Sequence, residues 1–293
     1  MSHIHSLQLN VRHEKRMVNR VNLHCAIAGA GPLIVLLHGF PEFWYSWRHQ
    51  IPVLAEHFTV VAPDMRGYND SDKPARIKDY TLPLLVEDIV QLIHSFGQER
   101  AVIVGHDWGA VIAWETAQTR PDAVSKLVIL NGPHPRLFLQ HLLTNPRQRR
   151  RSWYTFFFQL PWLPEAFFRA NSFHNIKSVF RNTSTHKHCF PDNVIEQYKQ
   201  ALAKPKALTS AINYYRAAAR RGPLKLALSE PVVKMPVQVI WGEQDVTLGK
   251  ELNNDLERYA PNLQLQFIPD ASHWVHQERP DLVNKSILNF VLQ

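Results

Sequence analysis

Six short apolar runs punctuate the chain, and where they stop constrains the fold more than any other feature. Leu33–Leu37 lies between Gly31-Pro32 and His38-Gly39. Phe58–Ala62 stops at Pro63-Asp64, Ala101–Val104 at Gly105, and Lys126–Leu130 at Asn131-Gly132-Pro133. Val237–Trp241 stops at Gly242 and Leu263–Ile268 at Pro269-Asp270. Runs this short, apolar on both faces and closed by turn residues, read as buried parallel strands. The segments between them carry helical spacing. Leu84, Leu85, Asp88, Ile89, Leu92, Ile93 and Phe96 form a stripe that Gly97 ends. Trp108–Thr119 is a second helix, and Leu282, Val283, Ile287, Leu288 and Val291 mark a C-terminal one. Strand and helix in alternation imply an α/β fold with a doubly wound, mostly parallel sheet.

The alternation breaks between about His134 and Arg221, where helix-like segments occur without a clean strand pattern. The charge changes over the same stretch. The whole chain carries 33 Lys+Arg against 25 Asp+Glu, a net of +8, yet residues 134–225 alone carry +13. That span also holds Trp153, Tyr154, Phe156, Phe157, Phe158, Trp162, Phe167 and Phe168. We read it as a helical insertion, residues 134–221, carried on a core domain formed by 1–133 and 222–293. Its aromatic residues either pack on the core or line an apolar cavity, and one span can do both. The basic peak Arg147-Gln148-Arg149-Arg150-Arg151 reads first as a solvated face, with weak attraction to an anionic membrane surface or an acidic partner as the alternative. No zinc-finger, helix-turn-helix or RNA-binding signature accompanies the charge, which argues against nucleic acid. The first 30 residues lack the apolar stretch of a secretory signal, and no run approaches membrane-spanning length. Two cysteines, Cys25 and Cys189, form no disulfide framework and fit a reducing, cytoplasmic setting.

The chemistry concentrates at Val104-Gly105-His106-Asp107-Trp108-Gly109-Ala110. A strand runs through a Gly-x-acid-x-Gly turn into a helix, the context of a nucleophile elbow in which small neighbours permit a strained turn. A helix-capping Asp is the simpler reading of such a residue, but the strand and both glycines at this spacing favour a nucleophile. An Asp in that place changes the reaction. A carboxylate is a poor acyl nucleophile, but it can displace a leaving group from saturated carbon and leave an alkyl ester on the enzyme. Hydrolysis of that ester needs a base for water and donors for an oxyanion. Asp245 follows the strand ending at Gly242, and His273 follows the last strand, so nucleophile, acid and histidine occur in the expected order. His273 is the expected base and Asp245 its orienting acid, with Glu243 and His276 as competitors.

With these residues in place, the chain resembles the epoxide hydrolases of the α/β-hydrolase superfamily over nearly its full length. That resemblance implies an α/β-hydrolase fold with a helical cap inserted after strand 6, and a reaction without cofactor or metal. His38-Gly39-Phe40-Pro41-Glu42 resembles the family's oxyanion-hole motif, which implies backbone N–H donors at Phe40 and Trp108. His38 would shape that turn, and His106 would pack or hydrogen-bond locally. The cap pattern Tyr-x-x-x-Phe-Gln matches Tyr154, Phe158 and Gln159, and Asn-x-Tyr-Arg matches Asn213, Tyr215 and Arg216. The resemblance thus casts Tyr154 and Tyr215 as the phenols that hold the epoxide oxygen, with Tyr214 as the neighbour to test. A phenol suits that task because it stays protonated at neutral pH.

The expected partners are therefore a small apolar epoxide and water. A haloalkane or haloacid dehalogenase is the alternative, since it also uses an Asp nucleophile and Trp108 could hold halide. It would leave the tyrosines idle, and Phe40 sits where haloalkane dehalogenases usually carry a polar residue. A non-catalytic ligand-binding protein on the same scaffold is the third reading, and it would not need the full set of groups. Oligomeric state is not legible in the sequence.

Overall fold

The computed structural model describes residues 11–221 and 232–293. All six expected strands form: β3 (Leu33–Leu37), β4 (Thr59–Pro63), β5 (Ala101–His106), β6 (Val124–Leu130), β7 (Val237–Gly242) and β8 (Leu263–Ile268). They are preceded by β1 (Arg12–Val18) and β2 (Val21–Ala28), which the apolar runs did not reveal. The sheet order is β1-β2-β4-β3-β5-β6-β7-β8. β1 and β2 pair antiparallel, as do β2 and β4, and every other pairing is parallel. β1 escaped notice because Arg12, Glu14, Lys15 and Arg16 break any apolar pattern. Charged side chains of this kind guard a sheet edge against pairing with another chain.

The strands bury both faces because alternate residues enter different cores. Ile34 and Leu36 join a cluster with Trp47, Val104, Leu130 and Ile287, while Leu33, Val35 and Leu37 join one with Ile89, Ile103, Ile112 and Trp114. β8 corrects the expectation of a buried strand. It is parallel, but it closes the far edge, and Gln264, Leu265, Gln266 and Phe267 are exposed.

The flanking helices are a short α1 (Ile51–Leu54), then α2 (Leu82–Ser95) and α3 (Trp108–Thr119). Gly97 takes left-handed geometry just past α2, at φ 72°, where a side chain would be strained. Between β6 and β7 the described residues form α4 (Pro135–Thr144), α5 (Pro146–Arg151), α6 (Trp153–Phe157), α7 (Leu163–Thr183, kinked at Ala170–Phe173), α8 (Asp192–Ala203) and α9 (Ala207–Arg221). A brief 3-10 turn lies between α7 and α8. The expected return to the core domain at 222 lies outside the described residues. α10 (Val275–Glu278) and α11 (Pro280–Val291) complete the chain.

Candidate active site

Asp107 sits between β5 and α3 with φ 51° and ψ −118°, a conformation that costs a non-glycine residue on the order of 1–3 kcal/mol. Its neighbours must be small. A Cβ at Gly109 would overlap the Leu37 carbonyl, and one at Gly39 would overlap the Asp107 carboxylate itself. The tight turn therefore lifts the carboxylate above the sheet and against the loop after β3. There the Phe40 N–H donates to Asp107 Oδ1 at 2.7 Å, and the Trp108 N–H is a second backbone donor to the same side chain. Burial pushes the Asp107 carboxyl up, and the nearby His273 and His106 oppose it.

His273 and Asp245 arrive from the loops after β8 and β7. His273 Nδ1 lies 2.8 Å from Asp245 Oδ2, and its Nε2 lies 3.7 Å from Asp107 Oδ2. Asp245 is held by four donors besides the imidazole: Asn131 Nδ2 at 2.9 Å, Thr247 N at 2.8 Å, Thr247 Oγ1 at 2.7 Å and Leu248 N at 2.9 Å. Burial alone would raise its pKa, but His273 and these donors bring it below the usual carboxylate value. Burial would likewise lower His273, yet the Asp245 charge and hydrogen bond, with Asp107 beyond, raise it to about 9.

The competing residues lie elsewhere. Glu243 pairs with Lys250. His276 is buried against Trp47 and His106, and burial lowers it to about 4. His106 reaches further than the local contacts expected of it. Its Nδ1 meets Glu42 at 2.8 Å, and its Nε2 meets the His273 carbonyl at 2.9 Å. Glu42 also accepts from Gln277 Nε2 at 2.6 Å, so a buried acid on the loop after β3 is tied to the segment that follows β8. His38 does shape its turn, accepting the Met65 N–H on Nε2 at 3.0 Å.

Sequence reasoning missed Asn131 and the Glu42 network. Asn131 accepts the Gly242 N–H at 2.8 Å while donating to Asp245, so it ties the end of β6 to the acid loop. Its only signal was an Asn-Gly-Pro turn at a strand end. Glu42 had one too, as the last residue of the loop motif. Chain spacing suggested no metal site, and the fold brings together Glu42, His106 and His276, and separately His24, Asp64 and Asp70.

The helical segment closes the site from above. Tyr154 and Tyr215 both line a cavity of about 360 Å³ whose floor holds Asp107 and Trp108, and their rings stand 6.0 Å apart. Leu82, Val111, Phe138 and Leu248 give the cavity an apolar wall. Burial, with the Asp107 charge nearby, drives both phenols up, so they stay protonated. Tyr214 points away and donates to the Arg66 carbonyl at 2.7 Å. The two tyrosine motifs also hold each other. Arg216 donates to the carbonyls of Phe158 at 3.0 Å and Leu160 at 2.8 Å, and Gln159 Nε2 donates to the Tyr215 carbonyl at 3.3 Å. Arg216 is fixed in turn by both oxygens of Glu165, at 2.7 and 3.1 Å.

The comparisons with known proteins agree with this architecture. Residues 32–280 match the family model described as the alpha/beta hydrolase fold. The chain is 39% identical over 278 residues to human epoxide hydrolase 4, covering 92% of this chain and 76% of that one. It is 43% identical over 276 residues to the AB hydrolase superfamily protein YfhM of Bacillus subtilis, covering 93% and 95%. The crystal structure of Bacillus megaterium epoxide hydrolase in complex with an inhibitor matches with a TM-score of 0.90 at 35% identity, covering 96% of this chain and 100% of that one. The chain therefore belongs to the α/β-hydrolase superfamily and, within it, to the epoxide hydrolase family.

Proposed function

We propose that this protein hydrolyses an apolar epoxide to a vicinal diol through a covalent ester on Asp107. Asp107 Oδ2 attacks the less hindered ring carbon while the Tyr154 and Tyr215 hydroxyls hydrogen-bond the ring oxygen. The C–O bond breaks, and the oxygen leaves as an alkoxide that one phenol protonates. His273 Nε2 then takes a proton from water, and the hydroxide adds to the Asp107 ester carbonyl. The Phe40 and Trp108 N–H groups hold the oxyanion, and Asp245 balances the imidazolium. Collapse releases the diol oxygen, which receives the His273 proton; Asp107 keeps one oxygen from water, and the proton that this oxygen carried returns to the phenol that had protonated the alkoxide. Residues 134–221 serve as the cap that supplies the phenols.

The timing follows from electrostatics. In the resting site, the Asp107 charge helps hold His273 near 9. Esterification removes that charge, so His273 becomes a usable neutral base when a base is needed.

The observation that carries the reading is the pairing of one carboxylate with two protonated phenols across an apolar cavity. Halide leaves without a proton, so a dehalogenase gives that pair no task. The names of the relatives support the same substrate class. A single turnover in ¹⁸O-water tests the route. Label in Asp107 and none in the first diol is expected, and label in the first diol would overturn it. Halide release from bromoalkanes without diol formation from styrene oxide would favour the dehalogenase instead.

A further inference from the structure

The cap exposes what a soluble surface normally hides. Among the described residues, half of the large exposed hydrophobic side chains fall within residues 143–167. Leu143 is 65% exposed, Trp153 60%, Phe156 56% and Trp162 78%, with Leu163 and Phe167 beside them. Phe157 joins two of them. Trp153 packs on Phe157 at 5.9 Å between ring centroids, and Phe157 packs on Phe167 at 5.8 Å. Leu143 and Phe156 are also walls of the Asp107 cavity, so this exposed apolar set reaches the cavity itself.

The basic run adjoins this set. Arg147, Arg149 and Arg150 are exposed on α5, and Arg149 Nη1 donates to the Leu143 carbonyl at 3.5 Å. Among the described residues, no carboxylate pairs with these three, whereas Arg151 is engaged with Glu251 at 3.3 Å. A solvated charged face accounts for the arginines alone. It does not account for tryptophan and phenylalanine side chains standing in water next to them. Exposed aromatic and aliphatic groups flanked by cations are what an anionic lipid surface recognises: the rings enter the headgroup boundary and the guanidinium groups stay among the phosphates. No helix of the described residues is long and apolar enough to cross a membrane.

We infer that the cap face formed by α5, α6 and the start of α7 docks on an anionic lipid surface, with the cavity entrance turned toward the lipid. The docking stands apart from the reaction assigned to Asp107. Delivery of an apolar epoxide from that lipid rests on the reaction as well.

Co-sedimentation with phosphatidylcholine vesicles, with and without phosphatidylglycerol, tests the docking without any reading of activity. The protein is expected to sediment with the anionic vesicles and to be released as salt is raised. Replacing Arg147, Arg149 and Arg150 together by Gln is expected to weaken binding roughly 100-fold, at about fivefold for each cation. The pair Trp153→Ser and Trp162→Ser is expected to weaken it roughly tenfold. These positions are exposed, and an unchanged thermal melt verifies that the variants are folded. Wild-type protein left in the supernatant with anionic vesicles at low salt would overturn the inference. So would unchanged binding by either variant, or a wild-type dimer that the Trp pair converts to monomer, which would give the face to a second copy of the chain.

Discussion

The two halves of the site hold their functional groups by opposite means. On the sheet side, Asp107, Asp245 and His273 come from turns after β5, β7 and β8, and hydrogen bonds fix each one. Asp245 alone receives four donors besides the imidazole. On the cap side, Tyr154 and Tyr215 lie among rings: Phe158 stands 4.7 Å and Trp108 5.0 Å from Tyr215, centroid to centroid. A charge must be paired and hydrogen-bonded to survive burial, so it needs backbone donors at strand ends. A phenol that must remain a proton donor benefits from apolar surroundings, which disfavour its anion. The sheet therefore carries the ions and the helices carry the neutral acids.

The largest effect separates the two steps on the sheet side. Asp107→Ala is expected to lower kcat/KM by about 10⁴-fold or more, because both steps of the proposed route pass through that carboxylate. His273→Gln is expected to leave the first step intact and to trap the ester. Intact-protein mass spectrometry after mixing with styrene oxide would then show one added substrate mass. A His273→Gln enzyme that turned over without accumulating an adduct would mean that the imidazole is not the base.

On the cap side, Tyr154→Phe and Tyr215→Phe should each slow ester formation roughly 10²-fold to 10³-fold, in line with the loss of a general acid. Ester hydrolysis should hardly change, since the proposed route uses the phenols on the ring oxygen and not on the ester carbonyl. Stopped-flow tryptophan fluorescence reads both phases, with Trp108 adjacent to the ester. Equal slowing of both phases would erase the division of labour between the two halves.

The same division explains what the sequence disclosed. The buried strands were legible because β3 to β7 are apolar on both faces, and the elbow was legible because two glycines frame one acid. β1 was hidden by Arg12, Glu14, Lys15 and Arg16, since an edge strand is written in charges. The two tyrosines were reached only through family motifs, because helical aromatics look like core. Asn131 and the Glu42 network were missed for a different reason. Their partners are more than 60 residues away along the chain, and no local pattern encodes such contacts.

An effect on stability tests how the cap half is braced. Arg216 and Glu165 are both buried, and Arg216 carries the link between the tyrosine motifs. Arg216→Gln strands a buried carboxylate and is expected to cost about 3–5 kcal/mol in denaturant unfolding. Adding Glu165→Gln should return much of that loss, because the stranded charge is then gone. Ester formation should stay slow in the double variant if Arg216 also sets the position of Tyr215, and that persistence distinguishes positioning from stability alone.

The smallest effect lies in the coupling between Asp107 and His273. The resting imidazole is raised to about 9 by Asp245 first and by Asp107 after it. Asp107→Asn removes the second charge, as the ester does, and leaves the bond to Asp245. The imidazole is then expected to titrate at least about one unit lower, a difference of ~1.4 kcal/mol, read from its proton NMR shift against pH. The linked stability has a definite sign. A folded pKa of about 9 above an ordinary value of 6.5 contributes stability that is full below about 6.5 and is lost as pH rises through about 9. In Asp107→Asn the loss should end at a lower pH, because the raised pKa itself is lower. Identical titration in the two proteins would mean that Asp107 does not govern the imidazole, and the timing of the base would then need another cause.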